Sequence, residues 1–170
     1  MILYFSATGN NKYVAEKISE VTGDYILPLK KLVREKNYKN VECLNCGIWN
    51  EKKILTLHYR NDGLLSIVDD GDLHSSIDNI KVDAIDNFVG DSKIDFIKMD
   101  IEGSELAALE GAKKTIQKFC PVLAICAYHK KEDLITLPQF IKSVSENYNF
   151  YIRKYGNTVL GELVLYAVPK

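Results

Sequence analysis

Short apolar blocks alternate with polar turns along the chain, and their spacing predicts strands that alternate with helices. Residues 2–5 form an apolar run that ends in turn-forming residues. A helix is predicted next, because apolar side chains recur at helical spacing in Tyr13, Val14, Ile18 and Val21. Gly23 ends this helix, DYIL is predicted as a second strand, and Pro28 begins a short basic helix.

The middle of the chain has patterns typical of strands. The segment NVECLNCGIW is predicted as a strand. KILTLHY and LLSIV, separated by RNDG, are predicted as a hairpin, because Asn-Asp-Gly favours a tight turn. DDGDLHSSID is rich in turn-forming residues, so we predict a loop there.

The second half of the chain is more regular. IDFIKMD is predicted as a strand, followed by a helix that Ser104 caps and whose apolar side carries Leu106, Leu109, Ala112, Ile116 and Phe119. Pro121 ends this helix and begins PVLAICAY, whose continuous apolarity favours a central strand. A helix, LPQFIKSVSENY, and an antiparallel pair, FYIRKY and ELVLYAV, follow. This order predicts an α/β fold, a three-layer sandwich with a mostly parallel sheet, in a single domain over residues 1–170.

Composition narrows the classes of partner. The 170 residues are 46% hydrophobic and 26% charged, which is typical of one soluble globular domain. Lys and Arg number 22 against 23 Asp and Glu, so charge gives no argument for nucleic acid or an anionic membrane. We therefore expect small molecules or proteins as partners. No apolar run approaches the ~20 residues that span a bilayer, and we predict a cytoplasmic protein.

The cysteines predict no metal site. Cys43 and Cys46 have CxxC spacing but lie in the strand-like run, where residues three apart point to opposite faces. A second CxxC pair is missing from the sequence. We interpret the thiols as buried side chains.

The pattern strand, MDIEGSE, helix, Pro, LAICAYHKKEDL, helix, strand, strand resembles the FkbM family of S-adenosylmethionine-dependent methyltransferases. The resemblance covers about residues 28–170 and includes NCGIWNEK and VDAID. It implies the Rossmann-like class I methyltransferase fold, a seven-stranded sheet with the cofactor at its carboxyl edge. It also implies methyl transfer to oxygen or nitrogen of a small molecule or sugar.

About residues 1–27, with ILYFSATGNNKYVAEKI, resemble the first βα unit of flavodoxin-like proteins. In that family this loop holds the FMN phosphate through backbone N–H groups, hydroxyls and a helix N-terminus. The candidate cofactor-binding residues are therefore Ser6, Thr8, Gly9, Asn10 and Asn11.

Three functions follow from the two resemblances together. The chain is an FkbM-type methyltransferase in which this loop replaces the usual cofactor loop and impairs binding, a flavodoxin-like FMN-binding module, or a noncatalytic chimeric or truncated methyltransferase. S-adenosylmethionine is the cofactor expected for the first, and FMN for the second.

Candidate catalytic residues lie where two predicted strands end. We expect Asp100 and Glu102 to contact the substrate, the transferred methyl group or a bound cation. Glu105 is interpreted as a first-turn partner of the helix dipole, and Gly103 as a tight turn. His129 follows the next strand and is predicted to neighbour Asp100, as a general base or, alternatively, as an exposed loop residue.

Two other positions favour structural interpretations. Asp86, in KVDAID, suits a cap or a turn, although it matches a segment of the FkbM resemblance together with Asp83. Trp49, the single tryptophan, suits core packing better than a pocket wall.

Overall fold

The computed structural model describes residues 2–6, 44, 46–60, 65–66, 73–155 and 163–170. Within these ranges the strands are β1 (Ile2–Ser6), β2 (Gly47–Trp49), β3 (Lys53–Arg60), β4 (Leu65–Ser66), β5 (Leu73–Ala84), β6 (Phe96–Asp100), β7 (Val122–Cys126), β8 (Tyr148–Lys154) and β9 (Leu163–Pro169). The helices in the same ranges are α1 (Ile85–Val89), α2 (Glu105–Glu110), α3 (Lys113–Phe119) and α4 (Asp133–Val144).

A five-stranded sheet has the order β1-β6-β7-β9-β8. β6 and β7 are parallel, whereas β9 is antiparallel to both of its neighbours, β7 and β8. The continuous apolarity of β7 correctly predicts its central place, and the final antiparallel pair is also confirmed. Because β6 and β7 run the same way, the segments that follow them leave the sheet at the same edge.

A four-stranded sheet has the order β2-β5-β3-β4. The predicted hairpin is confirmed, since β3 and β4 are antiparallel with His58 opposite Ser66. The predicted loop is wrong where β5 begins at Leu73, because this segment pairs with β3. Pairing with a neighbouring strand here outweighs the turn preference of its Ser and Asp residues.

The two sheets are mixed, so the structure does not confirm a mostly parallel sheet. In the four-stranded sheet, β2 and β5 are parallel, whereas β3 is antiparallel to both β4 and β5. The described strands also form sheets of five and four, not the seven-stranded sheet that the resemblance implies. The α/β class itself is as predicted.

The predicted helix after Ser104 is divided into α2 and α3. Gly111 lies at the junction, where an added Cβ would be 2.1 Å from the carbonyl oxygen of Trp49. Only glycine allows this approach of the chain after β2. Ser104 stands at the N-cap position of α2 but makes no side-chain capping bond.

Asp86 supplies the cap of α3 from a distant position in the sequence. Its carboxylate accepts hydrogen bonds from the backbone N–H groups of Lys114 (3.0 Å) and Thr115 (2.8 Å), and from the Thr115 hydroxyl (2.7 Å). These N–H groups have no partner within the first turn of a helix. The interpretation of Asp86 as a cap is therefore confirmed, and the helix that it caps is α3.

The core lies between the five-stranded sheet and elements that include α1, α2, α3 and α4. Its fully buried side chains come from strands and helices alike and include Ile85, Ile97, Met99, Leu109, Ile116, Leu123, Ile125, Leu137, Ile141 and Leu165. Ile48 of β2 packs in the same cluster. The predicted apolar side of the helices is thus confirmed. Within the described ranges, none of the helices is both long and apolar enough to cross a membrane.

Several sequence predictions lie outside the described residues. These are the helix with Tyr13, the strand DYIL, the helix from Pro28, and the loop beyond Ser6. Cys43 also lies outside, while Cys46 is partly buried and precedes β2. Burial is confirmed for the Cys126 thiol.

Candidate functional site

Asp100 ends β6 at the carboxyl edge of the five-stranded sheet, and its side chain is 2% exposed. Its Oδ1 accepts a hydrogen bond of 3.0 Å from the hydroxyl of Tyr128, which follows β7. Burial and the neighbouring Asp100 raise the pKa of Tyr128 above its ordinary range. The phenol thus keeps its proton and holds the Asp100 carboxylate in place.

A tight turn leads from β6 to α2. Glu102 has φ 56° and Gly103 has φ 91°, so two consecutive residues have positive φ. This conformation is ordinary for glycine but rare for glutamate. A Cβ on Gly103 would also lie 3.3 Å from Cε of Lys130. The predicted tight turn at Gly103 is confirmed, and the turn brings the Glu102 side chain back toward the end of β7.

Glu105 begins α2 and is buried, with 1% of its side chain exposed. Its Oε1 accepts the backbone N–H of Ile101 at 2.9 Å. The carboxylate therefore contacts the backbone just after β6, across the turn. This contact is additional to the helix-dipole role that its position predicts.

His129 lies among three carboxylates. Its Nδ1 is 3.0 Å from Oε1 of Glu105, and its Nε2 is 3.4 Å from Oε2 of Glu102 and 3.5 Å from Oδ1 of Asp100. The imidazole is 6% exposed and its ring centroid is 4.1 Å from that of Tyr128. His129 is thus a buried neighbour of Asp100, as one sequence interpretation predicts, and not an exposed loop residue.

The carboxylates control the protonation of His129. Burial by itself would lower the pKa of the imidazole, but Glu105, Glu102 and Asp100 favour its charged form more strongly, so the pKa is raised. For Glu105, burial by itself would raise the pKa, but His129 and the N–H of Ile101 outweigh it and lower the pKa. Both directions favour an ion pair between His129 and Glu105.

Three polar atoms in this group lack a hydrogen-bond partner among the described residues. They are Oε2 of Glu105 and both ring nitrogens of His129, and all three are buried. The 3.0 Å contact with Glu105 has the distance of an ion pair but not the angle of a hydrogen bond. Buried polar atoms without partners are costly, so this group is suited to a polar or charged ligand.

A buried lysine adjoins the group. Nζ of Lys98 donates to the carbonyl of Met99 (2.9 Å) and contacts Sγ of Cys126 (3.0 Å). Burial raises the pKa of Cys126 to about 12, although Lys98 opposes the shift. The thiol is therefore neutral and poorly suited to act as a nucleophile.

The structure brings together the three residues that the sequence predicts as catalytic, Asp100, Glu102 and His129. We call these residues and Glu105 the carboxylate–imidazole cluster. The sequence pattern favours a helix-dipole role for Glu105. Its spacing of five residues from Asp100, across a glycine turn, is the signal that could have placed it in the cluster. Of the predicted cofactor loop, Ser6 ends β1, while Thr8, Gly9, Asn10 and Asn11 lie outside the described residues.

Asp83, in the segment of the FkbM resemblance, has a local role. Its Oδ1 accepts hydrogen bonds from the N–H of Ala84 (2.8 Å) and the side-chain amide of Asn87 (2.6 Å). Asp83 thereby holds the start of α1.

Comparison with known proteins shows which family this sequence matches. The sequence matches the family model of the methyltransferase FkbM domain over residues 7–156. Among solved structures, it is similar to the methyltransferase FkbM from Methylobacillus flagellatus KT, with 26% identity and a TM-score of 0.69. That match covers 97% of this chain and 43% of the other, so this chain spans less than half the length of that protein. A comparison with curated proteins finds no match.

The matched region corrects the boundary that the sequence predicts. It begins at residue 7, not near residue 28, and so includes most of the segment that resembles a flavodoxin unit. A flavodoxin-like first unit is therefore not confirmed, and neither is the chimera that it implies.

Proposed function

Since the chain belongs to the FkbM methyltransferase family, we propose that it transfers a methyl group from S-adenosylmethionine to an oxygen or nitrogen of a small molecule or sugar. The observation that supports this proposal is the carboxylate–imidazole cluster. It lies at the ends of two parallel strands, β6 and β7, and open α/β sheets bind their ligands at this edge.

The charge of the cluster fits the proposed cofactor. S-adenosylmethionine supplies a methyl group made electrophilic by a positively charged sulfonium. The cluster contains three carboxylates around one imidazole, so its negative charge is in excess even when His129 is protonated. Buried negative charge favours a cationic ligand.

We assign the cofactor to the segment SATGNN, which the sequence predicts as a loop. Ser6, Thr8, Gly9, Asn10 and Asn11 are the residues that would hold it, through hydroxyls, amides and the backbone approach that glycine allows.

The cluster has the groups that the acceptor needs. Asp100 and Glu102 would orient the acceptor by accepting its hydrogen bonds. In its neutral form His129 would take up the proton that the acceptor loses, at Nε2, which faces both carboxylates. Glu105, at Nδ1, would stabilise the imidazolium that forms, as a carboxylate does in a catalytic triad.

Calorimetric titration of the full chain with S-adenosylhomocysteine tests the cofactor assignment. We expect one-to-one binding, and we expect Asp91→Asn to bind equally, because Asp91 is an exposed partner of Lys118. Asn10→Ala should weaken binding. No binding of S-adenosylhomocysteine by the wild-type protein would contradict the proposal.

A transfer assay with methyl-labelled cofactor and a panel of sugars and small hydroxy or amino compounds tests the catalytic residues. Once an acceptor is found, His129→Gln should lower kcat by about 10²–10⁴-fold, the usual contribution of a general acid or base. S-adenosylhomocysteine binding should be retained. An unchanged kcat would show that His129 takes no part in transfer.

A further inference from the structure

Asp100, Glu105 and His129 form the part of the cluster that resembles a metal site. Each offers one ligand atom, and these atoms lie within 4.8 Å of one another. All three side chains are more than nine-tenths buried. Oε2 of Glu105 and the ring nitrogens of His129 have no hydrogen-bond partner among the described residues.

The contact between His129 and Glu105 matches the distance between two ligands of one ion. Two atoms that each lie about 2.1 Å from an ion, at a right angle, are about 3.0 Å apart, and at a tetrahedral angle about 3.4 Å apart. Nδ1 of His129 and Oε1 of Glu105 are 3.0 Å apart, the separation expected of two ligands at a right angle. The ligand atoms of all three side chains lie within 4.8 Å of one another, so Asp100 would move closer to share the ion.

We infer that Asp100, Glu105 and His129 bind a divalent cation of the Mn²⁺ type. Carboxylates are preferred by Mg²⁺, Ca²⁺ and Mn²⁺, whereas imidazole favours transition metals, so the mixed set selects Mn²⁺ over Mg²⁺ and Ca²⁺. The ion would give Oε2 of Glu105 and one ring nitrogen the partner that they lack.

Glu102 completes the arrangement. Only one nitrogen of an imidazole can bind a given ion, and the other then donates its N–H to a carboxylate, which fixes the ring. With Glu105 as a ligand, Nδ1 is the nitrogen that would bind the ion, and Nε2 would donate its N–H to Glu102. The ion would also reduce the repulsion among three buried carboxylates. Lys98, which contacts Cys126 beside Asp100, offsets only part of that charge.

The use of the ion in methyl transfer rests on the proposed function, whereas its binding does not. A bound divalent ion lowers the pKa of a hydroxyl that coordinates it. In that case the ion, and not the imidazole, would activate an acceptor hydroxyl, and His129 would be a ligand.

Calorimetric titration of the full chain, stripped with EDTA and dialysed, tests the binding. We expect saturable one-to-one binding of Mn²⁺ that is tighter than that of Mg²⁺ or Ca²⁺. Asp100→Asn should weaken Mn²⁺ binding by more than about tenfold, since even the loss of a residue that supports a ligand costs that much. Asp91→Asn, which removes an exposed carboxylate outside the cluster, should leave it unchanged. Circular dichroism checks that each variant folds.

A second measurement needs no variant. Paramagnetic Mn²⁺ broadens the NMR signals of nearby nuclei, so the amides of Ile101, Gly103 and Lys130 should broaden first in the wild-type protein. Those of β8, three strands from β6, should broaden later. Absence of saturable Mn²⁺ binding, or broadening centred elsewhere, overturns the inference.

Titration with S-adenosylhomocysteine in the same samples separates the two proposals. Mn²⁺ binding without S-adenosylhomocysteine binding keeps the cation site and overturns the proposed methyltransferase. The reverse result keeps the methyltransferase and overturns the cation site. Methyl transfer that persists in EDTA overturns the use of the ion in the reaction.

Discussion

Three acidic side chains lie within 3.5 Å of the buried imidazole of His129 and raise its pKa, which favours the charged form that pairs with them. Removing one member of a buried charge pair leaves the other uncompensated, which costs far more than the pair gains. The cluster is therefore a source of stability only while it is complete.

We predict that His129→Ala lowers the free energy of unfolding by about 3–5 kcal/mol, because the carboxylates lose their positive partner. Urea unfolding in metal-free buffer measures the loss. The exposed pair of Lys118 and Asp91 provides the control, and Lys118→Ala should have little effect. A loss of similar size in both variants would contradict the prediction.

Glu102 is held in a backbone conformation that favours glycine. Glu102→Gly and Glu102→Ala both remove the carboxylate, so the difference between them isolates the backbone. We expect the glycine variant to be more stable by about 1–2 kcal/mol, the cost of a left-handed conformation for a residue with a Cβ. Thermal unfolding of the two variants side by side measures it. Equal stability would mean that the turn relaxes when the side chain is lost.

The sequence pattern predicts that Asp100 and His129 lie close together, because both stand at the carboxyl ends of neighbouring parallel strands. They do not predict the contact of Glu105 with His129. That contact depends on the positive φ of Glu102, which the local preference of glutamate opposes. The surrounding structure imposes this backbone conformation on Glu102, so the residue type at this position does not predict it.

At the scale of the elements, the first turn of α3 is capped by Asp86, a residue outside the helix, whose carboxylate accepts two of its N–H groups. Asp86→Ala should lower stability by about 0.5–2 kcal/mol, the usual cost of losing an N-cap. Asp91→Ala removes an exposed carboxylate from the same region of the sequence, and no measurable change is expected. Urea unfolding of both variants checks this, and an unaffected Asp86→Ala protein would exclude the capping role.

Some element boundaries can be predicted from local sequence patterns, and others cannot. The hairpin of β3 and β4 and the buried strand β7 were predictable, because turn chemistry and apolarity act locally. The start of β5 was not, because its strand conformation depends on pairing with β3. The break between α2 and α3 depends on the approach of Gly111 to Trp49, which is 62 positions earlier in the chain.

On the scale of the whole molecule, one buried cluster joins elements of both sheets. Ile48 from the four-stranded sheet packs in the same core as Leu123 and Ile125 from the five-stranded sheet, and Ile85 of α1 belongs to it. The described residues from Cys46 onward accordingly form one compact unit. We therefore expect the two sheets to unfold together.

Ile85→Ala should lower the free energy of unfolding by about 2–5 kcal/mol, because it opens a cavity in this shared core. Trp49 fluorescence reports the end of β2, and far-UV circular dichroism reports the whole chain. Both signals should give the same urea midpoint before and after the substitution. Separate midpoints would show that the sheets unfold independently.

Gly111 packs against the backbone carbonyl of Trp49, so the end of α2 adjoins the residue that carries the single indole. α2 begins at Glu105 and ends at Glu110, a length of about 9 Å, and Gly111 follows it directly. A ligand that moves the Glu105 carboxylate would also move the start of α2. The other end of this short helix adjoins the backbone of Trp49, so the surroundings of Trp49 would change. The emission of Trp49 should therefore shift as the cluster fills, with the same concentration dependence as calorimetry. Trp49→Phe should abolish the fluorescence signal and leave the heat of binding unchanged, so Trp49 emission would measure the occupancy of the cluster.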